Sequence, residues 1–287
     1  GDGDPFGVAD IEADEIAHAK CFAFDLEQFG PQPPLVIEPP EAAIVYEQYV
    51  EKLGAIPREG DIDQAGVRGV TIAPPPGRRL IFVGDLVDRG PRTPDVLRIV
   101  MSAAAAGHGF CVPGNHDAKF LRWLKGHDVT LTHGLDRSVA QMGKESQAFH
   151  QAVKAYLDAL PSHIWCDGGR LVVAHAGLTE GMIGRAVREF CLYGDTDGAT
   201  ESNGLAIRFH WAAEYRGETT IVYGHTPVAD AIWLNNTLCL DTGCCFGNKL
   251  TALRWPERES VSVPALQQYT PPHRTFGHPP LRPPATT

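Results

Sequence analysis

Residues 81–89 read Ile-Phe-Val-Gly-Asp-Leu-Val-Asp-Arg, and some thirty residues later residues 112–117 read Val-Pro-Gly-Asn-His-Asp. Each is a short apolar run that stops at glycine and then offers side chains that ligate metals or phosphate. A buried parallel strand delivers functional groups in this way, because its interior is apolar on both faces and its carboxyl end opens into a crevice. His175, in Val-Val-Ala-His-Ala-Gly, and His225, in Val-Tyr-Gly-His-Thr-Pro, follow two further apolar runs. One glycine-aspartate pair after a strand is usually only a turn, and one histidine there usually only a satisfied side chain. Four such endings in one chain are hard to explain as turns.

The surrounding pattern is βα alternation, which predicts an α/β fold. Strands are expected at Leu80–Val83, Phe110–Val112, Thr220–Tyr223, Thr237–Leu240 and Leu250–Arg254. Ile164–Cys166 and Leu171–Ala174, joined by Asp-Gly-Gly, read as a hairpin. Helices are expected over Thr93–Ala106, with Thr93 as N-cap and Pro94 in the first turn, over Asp117–Lys125, and over 145–160. Residues 41–54 carry apolar positions at helical spacing before Gly54, so a helix is expected there too. Val67–Ile72 is a possible short edge strand.

This organisation implies three segments: an acidic, proline-punctuated leader over 1–40, a catalytic-type domain over 41–266, and a proline-rich tail over 267–287. From Val263 onward seven of 25 residues are proline, so an extended or disordered course is expected. The chain starts at Gly1 with no visible signal peptide, and reads as a fragment or a processed form. Residues 1–63 hold 15 acidic against 3 basic residues, whereas the remaining 224 hold 20 against 22. A near-neutral body argues against broad binding of duplex nucleic acid and leaves room for a strand end or a small phosphorylated molecule. The seven cysteines lack zinc-type spacing and several sit in apolar runs, which suits buried thiols in a reducing cytoplasm. No stretch is long and apolar enough for a membrane span.

Gly84-Asp85-Leu86-Val87-Asp88-Arg89-Gly90, Gly114-Asn115-His116-Asp117, His175 and Gly224-His225 resemble the calcineurin-like binuclear metallophosphoesterases. The Asp-Arg-Gly ending resembles their phosphoprotein-phosphatase-like branch. Further segments resemble the phosphatase domain of bacterial polynucleotide kinase–phosphatases: Leu-Tyr-Gly-Asp-Thr (192–196), Trp-Ala-Ala-Glu-Tyr-Arg-Gly (211–217), Val-Tyr-Gly-His-Thr-Pro (222–227), Leu-Asp-Thr-Gly-Cys (240–244), Phe246-Gly247, Leu-Thr-Ala-Leu-Arg (250–254) and Val-Ser-Val-Pro-Ala (261–265). The resemblance spans about residues 78–266. It implies two mixed sheets packed as a sandwich flanked by helices, with the site at the carboxyl ends of the strands.

It also implies roles. Asp85 would bridge two divalent metals, with manganese the expected ion, and Asn115, His175 and His225 would complete one metal's shell. Arg89 would clamp phosphate oxygens, and His116, oriented by Asp88, would protonate the leaving oxygen. Asp241 matches a family site aspartate without an assigned role. The expected activity is hydrolysis of terminal or 2′,3′-cyclic phosphates at RNA ends, in RNA repair, by metal-activated water. Kinase or ligase domains or partners would accompany it, although the chain has no Gly-x-x-x-x-Gly-Lys-Ser/Thr loop. The family's upstream Gly-Asp-x-His-Gly motif is not present, so only one metal has its ligands plainly written; His18 or Glu38 could substitute. Two alternatives stay open: a protein Ser/Thr or dinucleoside polyphosphate phosphatase of the same family, and an inactive pseudo-phosphatase. Arg208 and Arg216 could reach a phosphate chain, but solvated roles are expected for them.

Overall fold

The computed structural model describes residues 20–23, 43–47, 74, 78–179, 182, 188–201 and 205–283. The core strands alternate their side chains between two apolar environments, and that alternation creates the layers. In β3 (Arg79–Phe82) Leu80 and Phe82 pack towards the helices, while Ile81, followed by Val83, packs into the interior between sheets. In β6 (Leu171–Ala174) Leu171 and Val173 face that same interior, while Val172 and Ala174 face outward onto Trp211 and Phe190. Both strands are therefore buried on both sides. Each such Leu, Ile or Phe contributes about 1.5–3 kcal/mol relative to exposure.

The first sheet contains β1 (Lys20–Ala23), β2 (Ala43–Glu47), β3, β4 (Gly109–Cys111), β12 (Lys249–Arg254) and β13 (Glu259–Pro264). Its order is β13-β12-β2-β3-β4, with β1 on β2. β2, β3 and β4 run parallel. The second sheet contains β5 (His163–Cys166), β6, β9 (Thr220–Tyr223), β10 (Trp233–Leu234) and β11 (Thr237–Cys239), in the order β10-β11-β9-β6-β5. Here β6, β9 and β11 run parallel, and β5–β6 is the expected antiparallel hairpin. The sheets share the core of Ile81, Val112, Val173, Val222, Leu240 and Trp255. Outside the first sheet lie α1 (Thr93–Ala105), α2 (Asn115–Leu124), α3 (Leu135–Met142) and α4 (Gln147–Ala159). The second sheet carries α5 (Arg188–Tyr193) and α6 (Trp211–Glu214) on its outer face. A short hairpin of β7 (Asp195–Thr200) and β8 (Ala206–Phe209) stands apart from both sheets.

Three local expectations change. Residues 43–47 form a strand inside the first sheet rather than a helix, because sheet pairing with β3 and β12 overrides a weak helical spacing; the rest of 41–54 lies outside the described residues, as does the possible strand at 67–72. Thr93 is the first helical residue and not the cap: Arg92 holds that position, and the Thr93 N–H donates to the Gln141 side chain. α2 begins at Asn115, two residues early, which puts Asn115 and His116 on the first helical turn.

The tail beyond β13 follows an irregular course against the body. Tyr269 N–H donates to the Cys245 carbonyl, Gly277 N–H to the Pro227 carbonyl, and the Pro280 carbonyl accepts from His210 N–H. Phe276 packs on Phe246 and lies against Gly243 (φ 67°), where any Cβ would strike its ring. Among the described residues no helix is long and apolar enough to cross a membrane.

Candidate metal centre and phosphate cleft

Five parallel strands, two from one sheet and three from the other, end along one edge of the sandwich. Asp85 follows β3, Asn115 and His116 follow β4, His175 follows β6, His225 follows β9 and Asp241 follows β11. Glycine permits the tightest approach. Gly84 (φ 83°) lies so close to the Gly114 backbone that a Cβ on either would collide with the other loop. Asp85, Asp88, Arg89 and His225 are themselves held at positive φ, a costly conformation for side-chain-bearing residues that recurs at functional sites.

Asp117 joins the two loops. Its buried carboxylate accepts N–H groups from Gly114, Asp85 and Leu86, each at 2.8 Å. Burial, aided by the Asp85 charge, pushes this carboxyl up to about 8, while the three N–H bonds act in the opposite sense. Sequence reasoning gave Asp117 no role, although an acidic residue at the third position of a helix that starts with glycine signals such a reach-back.

Asp85, His175 and His225 are buried and present one ligand atom each within 4.8 Å of one another. His175 Nδ1 lies 2.8 Å from the Val83 carbonyl, which only accepts, so Nδ1 carries the proton and Nε2 a lone pair. That Nε2 points at Asn115 Oδ1 (3.2 Å), His225 Nδ1 (3.1 Å) and Asp85 Oδ1 (3.4 Å). The His175 Nε2 lone pair, the Asp85 carboxylate and the Asn115 amide oxygen repel one another at these distances unless a donor or a cation sits among them. A carboxylate, an amide oxygen and two imidazoles form a hard-to-borderline set suited to Mn²⁺ or Zn²⁺. All four sequence-predicted ligands thus meet at one point and fit a divalent metal. Among the described residues this is the one such cluster; His18 and Glu38 lie outside them.

His116 stands beside the cluster. Its N–H donates to Asp85 Oδ1 at 3.2 Å and its Nδ1 meets Asp88 Oδ2 at 2.5 Å. Asp88 is held in turn by Ser138 on α3, whose hydroxyl donates to Asp88 Oδ1 (2.8 Å) and accepts the Asp88 N–H (2.7 Å). Ser138 is fully buried, and sequence reasoning missed it because fifty residues separate the partners. Arg89 leans over the Phe246 ring at 5.4 Å, and Gly134 presses against its backbone. The Asp241 carboxylate accepts the Gly243 N–H and closes the turn that follows β11.

A cavity of about 440 Å³ opens over Asp85, Asn115, His116 and His225 and includes Arg89 and Asp241. Arg208 also lines it, contrary to the solvated role expected from sequence. Burial, with the nearby Arg274 charge, pulls its pKa down to about 10. Arg216 instead donates to the carbonyls of Ala213 and Tyr215, outside the cleft. Cys111, Cys166, Cys191, Cys239, Cys244 and Cys245 are buried and form no disulfide among themselves.

A sandwich whose parallel strand ends converge on a carboxylate–amide–imidazole cluster, beside a paired His–Asp and an arginine, defines a metal-dependent phosphoesterase. The chain belongs to the calcineurin-like phosphoesterase family, whose model matches residues 66–269. It is 45% identical over 203 residues to a bis(5′-nucleosyl)-tetraphosphatase (asymmetrical), PrpE, of Anoxybacillus flavithermus, covering 68% of this chain and 82% of the relative. The Bacillus subtilis protein of that name is 45% identical over 201 residues, covering 67% and 82%. A crystal structure of a provisionally named diadenosine tetraphosphatase superposes with a TM-score of 0.50 at 27% identity, covering 64% of this chain and 79% of that one. These relatives correct the expected resemblance at the finer level: they are tetraphosphatases and not phosphatase domains of polynucleotide kinase–phosphatases.

Proposed function

We propose that this chain hydrolyses dinucleoside tetraphosphates, cutting one phosphoanhydride bond of the bridge to give unequal products. The observation that carries this reading is the similarity to asymmetrical bis(5′-nucleosyl)-tetraphosphatases over about two-thirds of the chain. The cleft agrees with it, since it continues beyond the metal cluster to a further arginine, Arg208.

Asp85, Asn115, His175 and His225 would hold the metal. When bound, a divalent ion there supplies charge neutralisation for phosphoryl oxygens and acidification of a water molecule. The Val83 carbonyl keeps His175 in the tautomer that ligates. Arg89, braced by Phe246, offers its planar fork to the oxygens of the phosphoryl group under attack. His116 delivers a proton to the departing bridge oxygen. Asp88 fixes the ring by its contact at Nδ1, so that Nε2 is the nitrogen left to face the cleft, and Ser138 locks Asp88. Asp117 holds the two ligand-bearing loops at a constant separation.

Incubation of the Mn²⁺-supplemented protein with bis(5′-adenosyl) tetraphosphate, resolved by anion exchange, tests the reading. ATP and AMP in equal amounts are expected. Turnover of a cyclic-phosphate RNA end but not of the tetraphosphate would overturn it. Turnover of neither, with at most one metal bound per chain, would favour the inactive-module reading.

A further inference from the structure

The proline-rich tail is seated as one wall of the cleft. Its anchors are spread along its length: Tyr269 on the Cys245 carbonyl, Phe276 on Phe246, Gly277 on the Pro227 carbonyl and Pro280 under His210 N–H. Between them Arg274 reaches into the cleft wall, donating to the Ala206 carbonyl at 2.9 Å and pairing with Glu201 at 3.0 Å. The donations to Ala206 and Glu201 both come from one guanidinium nitrogen. Across the wall stands Arg208, on β8, whose hydrogen bond is to the Thr226 hydroxyl at a long 3.4 Å.

Arg208 is therefore half-buried with two like charges, Arg274 and Arg89, acting against its own; the carboxylates that act in its favour, Asp85 and Asp241, belong to the metal-cluster side. Placing guanidinium groups together in a partly desolvated cleft costs free energy unless an anion joins them. A single phosphoryl group at the metal cluster would occupy Arg89 and leave Arg208 and Arg274 with only their protein partners, Thr226 for Arg208 and Ala206 and Glu201 for Arg274. A chain of several phosphates would pass along all three.

We infer that Arg208 and the tail's Arg274 form a distal subsite that grips the phosphates beyond the scissile bond, making the tail a determinant of polyphosphate length. The inference rests on the tetraphosphatase reading for its natural substrate, but the subsite itself can be tested apart from catalysis. Arg208 binds from a strand of the body and Arg274 from the tail, so a long phosphate chain bridges the two and a short one does not.

The probes are inorganic tripolyphosphate and orthophosphate, titrated calorimetrically into metal-stripped protein with its tail intact. Tripolyphosphate should bind at least about tenfold more tightly than orthophosphate, the effect of one charged hydrogen-bonding contact. Arg274→Gln and Arg208→Gln should each reduce that ratio about tenfold, and Arg274→Lys, which keeps the charge, should restore part of it. A ratio unchanged in Arg274→Gln would overturn the inference, provided its circular dichroism melt matches the wild type. If that variant melts early, Arg208→Gln decides: an unchanged ratio there sinks the subsite. Hydrolysis of bis(5′-adenosyl) tetraphosphate is followed in parallel. Loss of that activity with the tripolyphosphate ratio intact defeats the tetraphosphatase reading alone, whereas activity with no tripolyphosphate preference defeats the subsite alone.

Discussion

The two walls of the cleft are built in opposite ways. One is a row of parallel strand ends, where Asp85, Asn115, His175 and His225 leave strands buried on both faces and are tied by short hydrogen bonds among backbone and carboxylate. The other is irregular chain, where Arg274, Phe276 and His278 are held by a few backbone bonds and ring contacts. The first wall has the rigidity that chemistry at phosphorus requires, since ligand atoms displaced by an ångström lose the ion. The second has the adaptability that recognition of a long, flexible substrate tolerates. Changes to the strand-end wall should affect every phosphate substrate, and changes to the tail wall only the discrimination among them.

Asp85→Asn breaks the first wall at its centre. It should weaken Mn²⁺ binding and lower kcat/KM on an aryl phosphate and a dinucleoside tetraphosphate alike by about 10³-fold, seen by metal titration together with turnover. His116→Asn comes next. With the metal cluster intact, kcat should fall about 10²-fold while metal affinity stays near wild type; a parallel loss of metal would show His116 to be structural instead.

Ser138→Ala sharpens the comparison from beneath. It strips Asp88 of a donor and an acceptor in a buried setting, which should cost about 1–3 kcal/mol. In a domain of this size that lowers Tm by roughly 2–10 °C, and turnover should drop about tenfold as His116 loses its orientation. Differential scanning calorimetry with steady-state kinetics separates the two effects.

On the second wall, Gly243→Ala places a methyl group at positive φ against the Phe276 ring. The tail should loosen, raising KM for the tetraphosphate about threefold with a smaller change for an aryl phosphate.

The smallest effect is one of pH. Burial, and then the neighbouring His278 charge, pulls His210 down to about 4, and the two rings stack 4.1 Å apart. A histidine held below its ordinary range contributes stability that is fully present above about pH 6.5 and is lost as pH falls towards about 4. Hydrogen exchange in the 270–283 peptide, corrected for intrinsic rate, should quicken over that window while peptides from β3 and β9 stay protected. Equal quickening in both would erase the contrast between the walls.

The strand-end wall was legible because its signals are local. An apolar run followed by aspartate, asparagine or histidine, three times with a glycine between, announces a buried strand and its exit, and four such exits place Asp85, Asn115 with His116, His175 and His225. The helix expected over 41–54 gives way to a strand at 43–47 because pairing with partners more than thirty residues away decides it. Asp117 left a faint mark at the third position of α2, Arg208 was singled out but read as solvated, and Ser138 left no mark, the meaning of all three lying in contacts formed between distant segments. The sequence left the substrate open between RNA ends, dinucleoside polyphosphates and phosphoproteins, because the metal cluster serves phosphate esters and anhydrides alike and the motifs around it are shared among them.

By itself the sequence determined the α/β core, the family and the residues that converge on the candidate metal cluster, because alternating burial and strand exits act over a few neighbours along the chain. Only the tertiary structure decided that a proline-rich segment without periodicity is a wall of the cleft. A proline-rich stretch encodes no element of its own, so its place depends on what the folded body offers it: here the ring of Phe246, the space over Gly243, and the carbonyls of Cys245 and Pro227.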